Sequence, residues 1–150
     1  MLKSLYINNY LLIEELNVSF SKGLTIITGE TGSGKSLIID SLSLISGKRA
    51  DLSQLKNIDK KCVVEAVFKL EEKFRKEFEK NSVEYDDETI IRREILQSGK
   101  SRAFINDSPV TLDSLRFISS HILNFHSQHQ TLLLNKEEFQ LSVVDLLAEN

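Results

Sequence analysis

An α/β fold is what this sequence predicts, and three neighbouring observations predict it. Leu24-Thr25-Ile26-Ile27-Thr28 is a short, nearly continuous apolar run, the pattern of a strand buried on both faces of a sheet. Gly29-Glu30-Thr31-Gly32-Ser33-Gly34-Lys35-Ser36 follows at once and fits G-x-x-x-x-G-K-S/T at every fixed position. From Lys35 onward Ile38, Leu42 and Ile45 recur at helical spacing, and Gly47 supplies the left-handed residue that often ends a helix. Strand, glycine-rich loop and helix, in that order, make a P-loop unit.

The elements around this unit can be read in chain order. Leu5 and Ile7, then Glu14, Leu16, Val18 and Phe20, alternate as two amphipathic strands, with a polar bend expected at Asn8-Asn9. Cys62 to Leu70 reads as another strand, and Glu71 to Lys80 as a charged surface helix with Phe74 and Phe78 four apart. Thr89 to Leu96 and Ser101 to Asn106 flank Gln97-Ser98-Gly99-Lys100, the pattern of a hairpin turning at the glycine. Pro109 is expected to interrupt, Thr111 to cap a helix running through Phe117, and His121 to Phe125 to form a short strand. Asn135 with Glu138 resembles a capping box, opening a last helix over 136–150.

Length and composition bound the answer. At 150 residues and 41% hydrophobic the chain suits one domain with a real core. A net charge of −3 gives no global basic field to draw it to DNA or an anionic membrane, so such contact needs a local patch. Cys62 is the sole cysteine, which excludes an internal disulfide, and no apolar run approaches the ~18 residues of a membrane span. A cytoplasmic protein that makes no membrane contact is the expectation.

Each fixed position of the loop has a physical task. Glycines allow backbone conformations closed to other residues, so that successive N–H groups of Gly29, Glu30, Thr31, Gly32, Ser33 and Gly34 point into one anion-holding concavity. The following helix adds its unpaired amides and positive dipole end. Lys35 is expected to reach the β- and γ-phosphates of ATP, and the Ser36 hydroxyl to be a ligand to magnesium. Hydrolysis also needs an acidic residue after a buried strand and a group to place water. Neither is evident: Leu37-Ile38-Ile39-Asp40 lies in the P-loop helix, and Val143-Val144-Asp145 in the last one.

Beyond the loop, Tyr6-Ile7-Asn8-Asn9-Tyr10-Leu11-Leu12-Ile13, Ile91-Arg92-Arg93-Glu94-Ile95, Ser101-Arg102-Ala103-Phe104-Ile105-Asn106 and Phe125-His126-Ser127-Gln128-His129 span nearly the whole chain. Together they resemble the N-terminal part of the RecN family of bacterial DNA repair proteins, in the SMC-like branch of the ABC ATPases. The resemblance implies an N-terminal half-head with an antiparallel β-subdomain, joined in the intact protein by a C-terminal half-head across a long coiled coil. The helix over 136–150 would be the first turns of that coil. It further implies that the Walker B acids, the signature and the switch histidine lie in the other half, so the fragment alone is expected to bind nucleotide weakly and hydrolyse almost none. Implied partners are the C-terminal half-head, a second head clamped by shared ATP, and DNA, placing the intact protein at the nucleoid when it acts. By the same resemblance Gln128 corresponds to the Q-loop glutamine, touching magnesium and the attacking water, and Arg49 to an arginine that nears the nucleotide. Taken without the family, Gln128 is an ordinary polar residue at a strand end and Arg49 a solvated charge at a helix C-terminus.

Other constellations point less far. Arg92, Arg93, Lys100 and Arg102 gather on one hairpin and can be read either as a grip on nucleic-acid phosphates or as charges guarding a sheet edge, with strand alternation sending Arg92 and Arg93 to opposite faces. His121, His126, His129 and Cys62 lack the paired spacings of structural zinc sites. A self-sufficient small P-loop NTPase or kinase, and a non-catalytic interaction module, are the alternative readings.

Overall fold

A computed structural model of the chain describes residues 1–124. Strands β1 (Leu2–Tyr10), β2 (Ile13–Ser19), β3 (Cys62–Lys69), β4 (Glu88–Ile95), β5 (Ser101–Ile105) and β6 (Ser108–Val110) form one sheet in the order β2-β1-β3-β4-β5-β6. Every pairing is antiparallel. Three helices, α1 (Lys35–Ile45), α2 (Arg75–Lys80) and α3 (Leu112–Ile122), complete the described elements with two short 3-10 turns.

Alternation along the strands fixes which face is buried. Leu5 and Ile7 of β1 sit opposite Ala66 and Val64 of β3, and Cys62 and Ala66 sit opposite Ile95 and Ile91 of β4, so one face is a continuous apolar layer. Helix α1 covers it with Leu44 and Ile45, and α3 with Leu115 and Ile118, all four fully buried. Thr111 starts α3 by accepting from the Ser114 N–H at 3.1 Å, the N-cap expected from sequence.

Several expectations need correction. The first hairpin turns at Leu11-Leu12, and β1 runs on through Asn8 and Asn9 to Tyr10, because Asn9 accepts a left-handed φ of 55° within the strand. Pro109 does not interrupt the sheet: it sits in edge strand β6 opposite Phe104, where a missing N–H costs no ladder bond. The α3 helix continues past Phe117 to Ile122, so His121 and Ile122 are helical, their stretch of α3 still burying Ile118 and Ser119. Residues 71–80 divide into a 3-10 turn, Glu72–Phe74, and α2, with Phe78 buried. The largest departure is Leu24-Thr25-Ile26-Ile27-Thr28, which forms no strand and leaves Leu24 88% and Ile26 73% exposed. No strand pairs with this run among the described residues, and an apolar strand without a hydrogen-bonded neighbour has nothing to hold its backbone extended.

Candidate nucleotide site

The P-loop lies between the exposed 24–28 segment and α1. Its backbone bears out the glycine argument at two positions: Gly32 has φ 84° and Gly34 φ 93°, in the region that L-residues rarely adopt. Gly34 is the N-cap of α1 and offers no side-chain oxygen, and the first turn of α1 carries no acid. The leading amides of α1 are thus uncapped by side chains and the dipole end is unneutralised, which is what an anion requires.

Lys35 has turned onto the loop itself. Its Nζ donates to the Gly29 and Glu30 carbonyls, both at 2.5 Å, and to Ser33 Oγ at 3.3 Å. The ammonium therefore stands inside the curve that phosphate oxygens would fill, held by neutral acceptors that a triphosphate outbids electrostatically. In front of it opens a cleft of about 550 Å³, walled by Gly29, Ser33, Gly34 and Lys35 on one side and by Leu12, Ile13, Glu14 and Lys56 on the other. The hairpin tip thus faces the P-loop, and Lys56 pairs with Glu14 at 3.4 Å across that wall. The cleft fits the phosphates of a nucleoside triphosphate, with uncapped amides and a lysine for phosphate and apolar Leu12 and Ile13 beside them; Ser36, exposed in the first turn of α1, does not line it but carries a hydroxyl of the kind magnesium takes.

The far end of α1 is held from α3. Arg116 Nε donates to the Gly47 carbonyl at 3.0 Å, and buried Ser119 Oγ donates to the Ile45 carbonyl at 3.0 Å. The Ile45 carbonyl is an orphan acceptor of the helix C-terminus, the Gly47 carbonyl belongs to the turn just after the cap, and the arginine also suits the negative dipole end. Gly47 has φ 88°, and a Cβ there would meet Arg116 Cγ at 2.4 Å. Nothing in the sequence flagged Arg116 or Ser119, which lie about 70 residues from their acceptors, a separation that no local pattern reveals.

The remaining candidates scatter. Arg49 is exposed beyond the C-terminal end of α1, an 11-residue helix about 16 Å long, and makes no hydrogen bond to the loop among the described residues. Gln128, His126 and His129 lie outside the described residues, as does the helix expected over 136–150. The arginine hairpin dissolves as a single patch. Arg92 lies on the outer face, stacked 4.7 Å over Phe104 and ringed by Glu65 (3.5 Å), Glu94 (3.8 Å) and Asp107 (2.9 Å), while Arg93 is buried beneath the opposite face. Lys100 and Arg102 remain exposed. Among the described residues no group of three His, Cys, Asp or Glu side chains can hold a metal.

Fold and loop together define the class, a P-loop ATPase domain, and the chain belongs to the AAA domain family, which matches residues 4–149. Its particular kinship is with RecN: it is 42% identical over 150 residues to the DNA repair protein RecN of Vibrio cholerae, a match covering 99% of this chain and 27% of that protein. The chain thus spans about a quarter of the length of the curated relatives it matches. Among solved structures, one described as "Structural biochemistry of ATP-driven dimerization and DNA stimulated activation of SMC ATPases" shares the fold with a TM-score of 0.69 at 21% identity, covering 97% of this chain and 98% of that one. The SMC head domain from Thermotoga maritima aligns with a TM-score of 0.56 at 27% identity over 77% of this chain and 40% of that one. The family resemblance and the SMC-type half-head fold read from the sequence are both borne out.

Proposed function

We propose that this chain binds ATP with magnesium through Gly29 to Ser36, as the N-terminal half of a RecN-like ATPase head that acts in DNA double-strand break repair. The observation that carries the proposal is the loop itself: left-handed glycines at 32 and 34, an α1 N-terminus without a side-chain cap, and Lys35 already drawn into the curve. In this reading the amides from Gly29 to Gly34 cradle the phosphates, and Lys35 exchanges the Gly29 and Glu30 carbonyls for β- and γ-phosphate oxygens. Ser36 supplies a hydroxyl ligand to the metal, Gln128 a carbonyl oxygen toward the same metal and the attacking water, and Arg49 a charge near the nucleotide. Magnesium held by Ser36 and Gln128 would supply positive charge to offset that of the phosphates.

Half of a head needs its other half, and the exposed Leu24, Ile26 and Ile27 support that need. An apolar run with strand composition, next to the P-loop and unpaired, fits completion by strands of a C-terminal half-head of the same protein. The solved relative described by ATP-driven dimerization and DNA-stimulated activation supports a second head and DNA as further partners of the intact protein. ATP would then clamp two heads and hydrolysis release them, with turnover negligible in this chain by itself. No helix among the described residues is long and apolar enough to cross a membrane, and the proposed place of action is the cytoplasm, at the nucleoid.

Titration calorimetry with a non-hydrolysable ATP analogue and magnesium tests the reading. The expected result is weak binding by the chain, lost in Lys35→Ala and strengthened by an added C-terminal half-head. Tight binding that the added half leaves unchanged would instead establish a self-sufficient P-loop domain. Steady ATP hydrolysis by the purified chain, abolished by Lys35→Ala, would refute the half-head assignment.

A further inference from the structure

The most anomalous side chain outside the P-loop is Arg93. Its position in β4 opposite Val64 and Ala103 turns it into the apolar layer, where it is 1% exposed and is among the largest fully buried side chains. A buried guanidinium cannot shed its proton, so it carries its charge into the interior and needs a compensating anion. Among the described residues none is supplied. Its one hydrogen bond runs from Nη2 to the Ser101 hydroxyl at 3.1 Å, and Nε and Nη1 have no acceptor. Burial, and after it the positive charge of Arg116, lower its pKa from the ordinary arginine value. By contrast Arg92, next along the same strand, has three carboxylates. One of two adjacent arginines thus faces three acids, although its Nε makes no hydrogen bond, and the other faces none.

Arg93 also lines a cleft. A space of about 460 Å³ lies along β5, β6 and the start of α3, bordered by Arg93 and Ser101 and, on the same face, by Ala103, Val110 and Leu112. Exposed Arg102 stands at the same cleft and adds a second positive charge. Apolar walls with one buried guanidinium suit an anion of low charge on an apolar stem. A hydrated phosphate dianion, which would lose far more solvation among Ala103, Val110 and Leu112, suits them poorly.

We propose that Arg93 and Ser101, with the apolar cleft beside them, form a carboxylate-binding site separate from the P-loop, taking a monocarboxylate on a short aliphatic stem. The geometry of a guanidinium supports this: its end-on pair, Nη1 with Nη2, and its side-on pair, Nε with Nη2, each include a donor without an acceptor, and a carboxylate accepts two parallel N–H bonds. A glutamate side chain of a protein partner and a free aliphatic acid present the same chemistry.

The test is an NMR titration of the 15N-labelled chain, read at the arginine Nε–Hε cross-peak that disappears in Arg93→Lys. The probes are butyrate, a blocked Ala-Glu-Ala peptide and inorganic phosphate. Saturable movement of the Arg93 peak with butyrate, the peptide or both supports the site, and the tighter of the two names the source of the carboxylate. Absence of movement with both, or equal movement with phosphate, overturns it. If Arg93→Lys does not fold, Ser101→Ala takes its place: removing a hydroxyl from the end of β5 leaves the sheet intact and is expected to weaken the carboxylate several-fold, whereas unchanged affinity overturns the assignment.

Discussion

Asn9 offers the most direct check on how this sheet is tied together. It is 4% exposed, and its amide bridges β1 to the 57–61 loop: Nδ2 donates to the Asn57 carbonyl at 2.9 Å and the Lys60 carbonyl at 2.8 Å, while Oδ1 accepts from the Asn57 N–H at 2.7 Å. Three well-formed bonds at about 1 kcal/mol net each would be lost in Asn9→Ala, leaving the Asn57 N–H without its acceptor. The φ of 55° adds a second cost, because alanine tolerates the left-handed region less well than asparagine, by about 1 kcal/mol. The expected loss is therefore about 3–4 kcal/mol, a large share of a typical domain's stability. Asn9→Gly removes the same hydrogen bonds and relieves the backbone, so it should lie about 1 kcal/mol above Asn9→Ala. Equilibrium urea unfolding followed by circular dichroism measures both. An Asn9→Ala variant within about 1 kcal/mol of the parent, the worth of a single hydrogen bond, or a glycine variant less stable than the alanine one, would refute this account.

Three further outcomes follow from other sites. Burial pushes the Cys62 thiol up to about 12 and, with Asp40 and Cys62 nearby, the Tyr10 phenol likewise to about 12. Both groups ionise more easily unfolded, at about 8.5 and 10, so the stability they contribute is full below those values and lost as pH rises toward 12. Stability measured across that alkaline window should fall, and Cys62 should react with iodoacetamide only under denaturant. Gly34→Ala, at φ 93°, should cost about 1–2 kcal/mol in urea unfolding and reduce ATP-analogue affinity by calorimetry, since the N-cap of α1 has to shift. Arg92→Gln leaves Glu65, Glu94 and Asp107 facing one another, and should cost about 1 kcal/mol that shrinks as salt is added to the unfolding assay.

Local features were the legible ones. The P-loop, the β4–β5 hairpin turning at Gly99, the Thr111 cap and the helix ended by Gly47 all follow from residue types at fixed short spacings, and all are present. Alternation likewise sent Arg92 and Arg93 to opposite faces. What escaped is long-range. The turn preference of asparagine points to a bend at Asn9, yet its side chain serves carbonyls about 50 residues away. Proline points to a break at 109, and the edge position that tolerates it depends on the order of all six strands. The missing acids around Arg93, and the grip of Arg116 and Ser119 on α1, depend on packing that no periodicity encodes.

The 24–28 segment joins these two lessons. Its composition asks for a strand buried on both faces, and among the described residues nothing pairs with it. Downstream, the P-loop continues into α1, whose buried Leu44 and Ile45 and two α3 caps fix it firmly; upstream, it continues into this exposed run, which no strand pairs with among the described residues. Ordering that run is a cost which either nucleotide or a partnering half-head must meet, and whichever binds first lowers it for the other. The proposed partnership therefore carries a thermodynamic requirement: the factor by which the C-terminal half tightens the ATP analogue must equal the factor by which the analogue tightens that half. Measuring both arms of this cycle, in the parent and in an Ile26→Ser, Ile27→Ser variant, separates the sources of coupling. Coupling carried through the 24–28 segment should collapse in the variant while residual binding at Lys35 persists; coupling that survives unchanged would place the contact elsewhere on the head.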